Sequence, residues 1–247
     1  MDDLVAEIDR LRPWMYEFDL PNGVKTPIMH PSLAPIHAIR RAMIFDLVAA
    51  MGIAAPASVL DLACNEGFFT IEFAKRGSAD ARGLDIRPDN IAKAELVRRS
   101  FGFERCSFAV ADVTACDIAE RSADIVLLLG IIYHVEDPIR LIRRAAAAAR
   151  TVLFVETQLT KPAPPLAYGW GPHEEHATGD VFAVLREDQE ANARASSGGL
   201  SLIPSASAIV TILRDIGFRS IVQLHPNRSI REVQYERVDR AVFAGIW

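Results

Sequence analysis

The segment 57–73 constrains the fold most, because an apolar run leads into a tight turn and then into a helical pattern. Residues 57–62 are mostly apolar and β-prone, and Asp61 lies near the end of this run. Small or turn-tolerant residues then occupy every second position: Ala63, Asn65 and Gly67. Phe69 and Phe73 have the i, i+4 spacing of one helix face. Strand, turn and helix in this order form the unit with which α/β folds bind nucleotide-type ligands at strand carboxyl ends.

Two further strand-like runs also end near an aspartate. Residues 79–86 predict a second strand with Asp85 near its end, 24 positions after Asp61. Doubly wound folds place a carboxylate at about this spacing, where it accepts hydrogen bonds from ribose hydroxyls. Residues 108–113 predict a third strand. Asp112 at its end could accept a hydrogen bond from the exocyclic amine of an adenine. Two apolar residues would form walls for such a base: Ile86 and Val113.

The rest of the chain continues the alternation of helices and strands. Its periodic segments predict helices at 36–51, 139–150 and 204–215, and strands at 123–130, 151–157, 221–224 and 238–246. The run 123–130 is almost wholly apolar, which suits a central parallel strand covered on both faces. We therefore predict an α/β fold, with a Rossmann-like, doubly wound, mostly parallel sheet of seven strands and helices on both faces.

Two further segments, an N-terminal extension and an insertion, are predicted in addition to these helices and strands. Residues 1–52 predict an N-terminal extension with a helix and a hairpin, and residues 53–247 predict the main domain. Prolines and glycines between positions 161 and 172 predict irregular backbone. Insertions as long as the one at about 158–203 are usually functional, so we predict a lid that faces the substrate.

Four segments together resemble the successive motifs of the class I S-adenosylmethionine-dependent methyltransferases: VLDLACNEGFFT, GLDI, ADV and DIVLLLGIIYHVEDP. The last resembles the subset whose fourth strand runs into a Gly-x-x-Tyr-His-x-x-Asp-Pro turn. The likeness covers residues 57–157 well and the C-terminal strands loosely. It implies the family's fold and S-adenosylmethionine as the cofactor. One position departs from the family pattern, because Ala63 stands where glycine is usual.

The resemblance also implies roles for the strand-end residues. The predicted cofactor contacts are Asp61, Ala63, Cys64, Asn65 and Gly67 for the methionine part, Asp85 for the ribose, Asp112, Val113 and Ile86 for the adenine, and the Gly130 carbonyl for the ammonium group. We interpret Cys64 as a small packing residue in the cofactor loop rather than as a nucleophile.

A hydroxyl acceptor benefits from a general base, and histidine is the usual choice near neutral pH. The candidates are His134, His173 and His176. In this architecture His134 follows the fourth strand, next to the transferred methyl group. Alternatively, His134 bonds a loop carbonyl and only shapes the pocket. The His-Glu-Glu-His run at 173–176 lacks the spacing of a zinc-protease motif, so we predict no metal.

Aromatic side chains are the predicted substrate contacts: Trp14, Tyr16, Tyr133, Tyr168 and Trp170. Trp-x-Tyr before a hairpin is similar to the lead-in of several methyltransferases of this subset, where it packs over the cofactor or the substrate. The alternative is that Trp14 and Phe18 simply close the bottom of the domain.

Composition narrows the class of partner. The 247 residues carry a formal net charge of −5, which does not favour broad binding to a phosphate backbone. The 3 cysteines are isolated, as in reduced cytosolic proteins. No apolar run reaches membrane-spanning length, and the acidic N-terminus is unlike a signal peptide. We expect a cytoplasmic protein with a small-molecule partner and no membrane; a homodimer stays open.

Three functions remain as hypotheses. The leading one is O-methylation of a small molecule, such as a sugar or a secondary metabolite, because a complete cofactor set occurs with an aromatic lid. The Tyr-His turn is also similar to enzymes that modify the wobble uridine of tRNA, and Arg140, Arg143 and Arg144 offer a basic cluster. The third hypothesis is a non-catalytic cofactor-binding scaffold, supported by Ala63. A dehydrogenase is disfavoured because the turn lacks the glycines that a dinucleotide requires.

Overall fold

The computed structural model describes residues 2–53, 57–162, 166–169, 174–177, 180–187, 199–226 and 233–247. The helices are α1 (Asp2–Arg10), α2 (Leu33–Ala50), α3 (Phe68–Lys75), α4 (Pro88–Phe101), α5 (Pro138–Ala148), α6 (Ala206–Ile216) and α7 (Val233–Glu236), and a short 3-10 helix spans Ile132–His134. The strands are β1 (Ser58–Leu62), β2 (Asp80–Asp85), β3 (Cys106–Val110), β4 (Ala123–Leu129), β5 (Ala149–Gln158), β6 (Leu166–Gly169), β7 (Glu174–Ala177), β8 (Phe182–Arg186), β9 (Leu200–Pro204), β10 (Ser220–Leu224) and β11 (Arg240–Ile246).

A seven-stranded sheet organises the chain, in the order β10-β11-β5-β4-β1-β2-β3. The strands β1 to β5 pair in parallel, and β11 runs antiparallel to both of its neighbours. The predicted mostly parallel, Rossmann-like sheet is confirmed. The strand order reverses between β1 and β4, and sheets of this kind bind ligands at the carboxyl ends beside the reversal.

The central strands are buried on both faces, which explains their apolar sequences. Leu127 of β4 and Phe154 of β5 pack with α2, α3 and α4 on one face. Leu128, the next residue of β4, packs with α5 and α6 on the other face. Because burying one such side chain contributes about 1.5–3 kcal/mol, the strands are held firmly. Their carboxyl ends are therefore fixed positions for functional groups.

The predicted third strand is wrong at its end. It was expected to run to Asp112 and Val113, but β3 ends at Val110. The Asp112 carboxylate accepts hydrogen bonds from the Thr114 amide and hydroxyl at 2.9 and 2.7 Å. This local ring turns the chain away from the strand direction.

The predicted N-terminal hairpin forms only in part. Isolated bridges join Trp14 to Ile28 and Asp19 to Lys25, without named strands between them. The Thr26 hydroxyl accepts a hydrogen bond from the Phe18 amide at 2.8 Å and donates to the Tyr16 carbonyl at 2.9 Å. A buried side chain thus replaces part of a backbone ladder.

Part of the segment 158–203, for which a lid is predicted, forms regular strands. Tyr168 lies in β6, which pairs antiparallel with β7, and β8 pairs antiparallel with β9. The prediction of irregular backbone at 161–165 and 168–172 is therefore wrong for Tyr168 and Gly169. Lys161 and Pro162 belong to no named strand or helix, and residues 163–165 and 170–172 lie outside the described residues.

Candidate active site

A cavity of about 340 Å³ lies at the carboxyl ends of β1, β2 and β4. The predicted site residues that line it are Tyr16, Asp61, Ala63, Cys64, Asn65, Asp85, Gly130, Tyr133 and His134. Their convergence follows from the parallel sheet, because neighbouring parallel strands end at the same edge.

The loop between β1 and α3 has the backbone that the small residues predict. Ala63, Asn65 and Gly67 have φ angles of 60°, 53° and 76°, all in the left-handed region. An added Cβ on Gly67 would lie 2.6 Å from the Phe108 ring, so only glycine fits there. Ala63 adopts its φ at a cost of roughly 1–2 kcal/mol, and the loop therefore forms without a glycine at this position.

Asp61 is a buried carboxylate at the end of β1. It accepts a hydrogen bond from the Thr70 hydroxyl at 2.8 Å and lines the cavity. Burial raises the pKa of Asp61 to about 7; the bonds from Thr70 oppose this shift, and the negative charge of Asp85 adds to it. A cationic ligand group in the cavity would favour the ionised carboxylate.

Asp85 lines the cavity and also accepts hydrogen bonds from neighbouring residues of the protein. Its carboxylate accepts hydrogen bonds from the Asn65 amide at 2.9 Å, the Arg87 amide at 2.9 Å and the Asn90 side chain at 3.1 Å. It therefore joins the loop after β1 to the turn after β2. Ile86, the next residue, is 48% exposed.

Cys64 packs inside the loop. Its Sγ lies 2.8 Å from the position that a Cβ on Gly83 would take, and the thiol is buried. Burial raises the pKa of Cys64 well above its usual range, which disfavours the thiolate.

Asp112 and Val113 lie outside the lining of the cavity. Val113 is buried in the core on the α5 side of the sheet, and Asp112 is bonded to Thr114. The adenine contacts assigned to these two residues stay a prediction.

The N-terminal segment around Met15 and Tyr16 is attached to the loop after β1 by Glu66, a residue for which no role was predicted. This buried carboxylate accepts hydrogen bonds from the Met15 and Tyr16 amides at 2.8 and 3.0 Å and pairs with Lys93 at 3.0 Å. The Tyr16 ring is thereby held at the cavity, 4.7 Å from the ring of Phe68.

Trp14 has a different position from Tyr16. It is fully buried, donates from its indole nitrogen to the Ile8 carbonyl at 2.9 Å, and contacts Phe18 edge to face. It is not among the residues that line the cavity. This placement agrees with the alternative in which Trp14 closes the domain.

The wall opposite the loop is polar and charged. Glu156 is completely buried at the end of β5 and pairs with Arg40 at 3.2 Å and Arg240 at 2.7 Å. Tyr235 also donates to Glu156, at 3.0 Å, and Arg240 donates to the Tyr133 hydroxyl at 3.3 Å. Burial alone would raise the pKa of Glu156, but the two guanidinium groups hold it below its usual range.

Arg40 is one of the members of this wall that line the cavity. Its Nη1 lies 4.0 Å from the position that a Cβ on Gly130 would take, and has no hydrogen bond within the described residues. The sequence contains a signal for a role of Arg40, because this charged residue interrupts the apolar face of α2 between Ile39 and Met43.

His134 ends the 3-10 helix after β4 and lines the cavity. Its Nδ1 lies 2.7 Å from Oε1 of Glu187, just after β8. Burial lowers the pKa of His134, and the charge of Glu187 opposes this shift. Tyr133 contacts the imidazole, with 4.3 Å between the ring centroids.

The other lid candidates cannot be placed against the cavity. Trp170 and His173 lie outside the described residues, and Tyr168 and His176 are described only as backbone, in β6 and β7. In the part of the chain that is described, no three His, Cys, Asp or Glu side chains are grouped as a metal site. No described helix is both long and apolar enough to cross a membrane.

Comparison with known proteins agrees with this architecture. Residues 54–167 match a protein-family model described as a methyltransferase domain. The chain is 27% identical over 124 residues to ajmaline N-methyltransferase of Rauvolfia serpentina, which is 49% of this chain and 42% of the relative. It is 27% identical over 104 residues to norajmaline N-methyltransferase of the same organism, 36% of that relative. The chain thus spans about two fifths of the curated relatives that it matches.

Solved structures share the fold over more of the chain. The N-terminal domain of EvdMO1, in the presence of SAH and D-fucose, superposes with a TM-score of 0.70 at 23% identity, over 100% of this chain and 97% of that one. Magnesium protoporphyrin IX methyltransferase (ChlM) from Synechocystis PCC 6803, with bound SAM, superposes with a TM-score of 0.58 at 17% identity, over 89% and 85% of the two chains. The fold is therefore the Rossmann-like fold that these methyltransferase structures share, and the match to the methyltransferase-domain model spans residues 54–167.

Proposed function

We propose that this protein is an S-adenosylmethionine-dependent methyltransferase that O-methylates a small molecule, such as a sugar or a secondary metabolite. The observation that carries the proposal is the cavity at the point where the strand order reverses. There the buried side chains of Asp61 and Asp85 flank the loop after β1, whose backbone a ligand can approach closely. The structural neighbour crystallised in the presence of SAH and D-fucose supports an acceptor of sugar size.

The residues present fit the cofactor. The ammonium group would bind between the Asp61 carboxylate and the Gly130 carbonyl, which lie at the ends of adjacent strands. Asp85 accepts three hydrogen bonds from the protein, and a carboxylate offers about four acceptor sites, which leaves room for a ribose hydroxyl. Arg40 Nη1 would bind the carboxylate of the methionine part.

When bound, the cofactor supplies a methyl group on a sulfonium and a neutral thioether as leaving group. The task of the protein is to hold the acceptor in line and to exclude water. Tyr16 covers the cavity from the N-terminal extension, and Tyr133 and His134 line it beside the end of β4. In our proposal His134 accepts the proton of the acceptor hydroxyl as the new C–O bond forms.

A nitrogen acceptor is the second candidate, because both curated relatives are named N-methyltransferases. A neutral amine attacks the methyl carbon with its own lone pair, and His134 would then take the proton that the methylated nitrogen releases. The tRNA hypothesis gains no support from α5. Arg143 pairs with Asp215 at 2.6 Å, and Arg144 donates to the carbonyls of Thr114 and Cys116, so two of the three arginines are already engaged.

Calorimetric titration of the pure protein with S-adenosylmethionine and S-adenosylhomocysteine tests the core of the proposal. We expect binding of both, and we expect Asp85→Ala to weaken it by about 100-fold or more, since charge-assisted hydrogen bonds are lost. Asp89→Ala is the matched control, because Asp89 is an exposed aspartate of the neighbouring helix α4. No heat of binding for the unmodified protein would contradict the proposal.

Turnover separates the enzyme from a scaffold. Incubation with labelled cofactor and a panel of sugars, phenols and amines should transfer label to one acceptor class. Binding without transfer to any member would favour the scaffold hypothesis.

A further inference from the structure

The β8–β9 hairpin places an acidic side chain against a residue that lines the cavity. Glu187 follows β8 directly, and its amide donates to the Gly199 carbonyl at 2.9 Å next to β9. The Glu187 side chain is only 6% exposed, although β8 itself is partly exposed, with Val184 at 72%. A buried carboxylate at the end of an exposed hairpin indicates a specific partner.

That partner is His134. The distance of 2.7 Å between Glu187 Oε1 and His134 Nδ1 is that of a strong, charge-assisted hydrogen bond. Among the described residues the His134 ring makes no other hydrogen bond, so Nε2 is left for a ligand in the cavity that His134 lines. The other end of the hairpin is fixed, since Ser205 donates from its amide to the Val181 carbonyl and Thr160 donates to the Pro204 carbonyl.

We propose that Glu187 is a positioning residue: it holds His134 with the proton on Nδ1, so that Nε2 is the base that deprotonates the acceptor. This inference rests on the proposed methyl transfer and adds to it a residue of the lid. In the step, the acceptor oxygen forms a bond to the methyl carbon as the carbon–sulfur bond breaks, and its electron pair stays on sulfur. The hydroxyl proton moves to Nε2, and the resulting imidazolium is stabilised by the Glu187 carboxylate.

The charged groups around His134 set the direction of the pH effect. Glu187 favours the protonated imidazole, whereas Arg87 and Arg240 on the cavity side and burial of the ring disfavour it. Removing the charge of Glu187 therefore lowers the pKa of His134 further. Because the base must be neutral, the acidic limb of the rate profile moves to lower pH, while the weaker and less well oriented base lowers the plateau.

The first test is the pH profile of kcat in Glu187→Gln, which keeps a hydrogen-bond acceptor but loses the charge. We expect kcat to fall about tenfold or more, with the acidic limb at lower pH and the KM for the cofactor unchanged. Glu136→Gln is the matched control, because Glu136 is an exposed glutamate two positions from His134. An unchanged profile in Glu187→Gln would show that Glu187 only fastens the hairpin, and would overturn the inference.

The second test does not depend on turnover. Nitrogen NMR of histidine-labelled protein, with the His134 signals assigned by His134→Gln, reports which ring nitrogen carries the proton. We expect the Nδ1-protonated form in the unmodified protein and a mixture of the two forms in Glu187→Ala. The Nε2-protonated form in both proteins would overturn the inference, whereas failure of the cofactor titration alone would overturn only the methyl transfer.

Discussion

The two sides of the cavity are built in different ways. The side formed by the loop after β1 and the turn after β2 depends on residues close in sequence, such as Asp85 and Asn65, 20 positions apart. The opposite wall joins distant segments: Arg40 bonds Tyr235 across 195 positions, and His134 bonds Glu187 across 53. The side with the strand-end carboxylates is therefore encoded mainly by residues close in sequence, whereas the opposite wall forms only when distant segments fold together.

The largest expected effect lies in the distant wall. Glu156→Gln leaves the guanidinium groups of Arg40 and Arg240 buried without their shared counter-charge, and removal of one partner from a buried pair costs about 3–5 kcal/mol. Chemical denaturation should show this loss in the free energy of unfolding. Glu17→Gln is the control, because Glu17 forms an exposed pair with Lys25, and exposed pairs contribute little to stability. Equal losses in the two variants would mean that the wall does not act as a unit.

The side of the cavity that depends on residues close in sequence is tested at Gly67, where the backbone packs closely against Phe108. Gly67→Ala should lower the free energy of unfolding by about 2–3 kcal/mol, because it adds strain at positive φ and a contact with Phe108. Gly102→Ala is the control, since Gly102 also has a positive φ but nothing lies within 4 Å of the added Cβ, and it should cost about 1 kcal/mol. If both substitutions cost the same, the close packing of the loop contributes nothing.

The smallest effect concerns the protonation of Asp61. Its pKa of about 7 lies above the ordinary value near 4, so the folded protein binds this proton more tightly and loses stability as the pH rises between the two values. An ammonium ligand reverses the preference, so cofactor affinity should rise about tenfold between pH 5.5 and 7. Titrations in buffers of different ionisation enthalpy should detect proton release on binding. Asp61→Asn should bind weakly with no such pH dependence; an equal dependence in this variant would exclude Asp61 as its source.

The same contrast between local and distant contacts explains which features the sequence predicts and which it does not. The seven-stranded sheet and the convergence of Asp61 and Asp85 follow from apolar runs, turn residues and spacing, all of which are local signals. Glu66 has no local signal, because its partners Met15 and Lys93 are 51 and 27 positions away. Glu187 likewise has none, since its role depends on how the β8–β9 hairpin folds back over the 3-10 helix. The predicted third strand extends beyond the observed end of β3, because the hydrogen-bonded turn that Asp112 forms with Thr114 outweighs the β-strand preference of the valines.

The central claim is that the carboxylates at the ends of β1 and β2 bind an adenosyl cofactor. The most direct measurement is a crystal structure of the protein with S-adenosylhomocysteine. The account predicts ribose hydroxyls on Asp85, the ammonium group on Asp61 and the Gly130 carbonyl, and the carboxylate on Arg40. Well-ordered crystals soaked to saturation that contain only solvent at these three positions, or the ligand elsewhere, would contradict it.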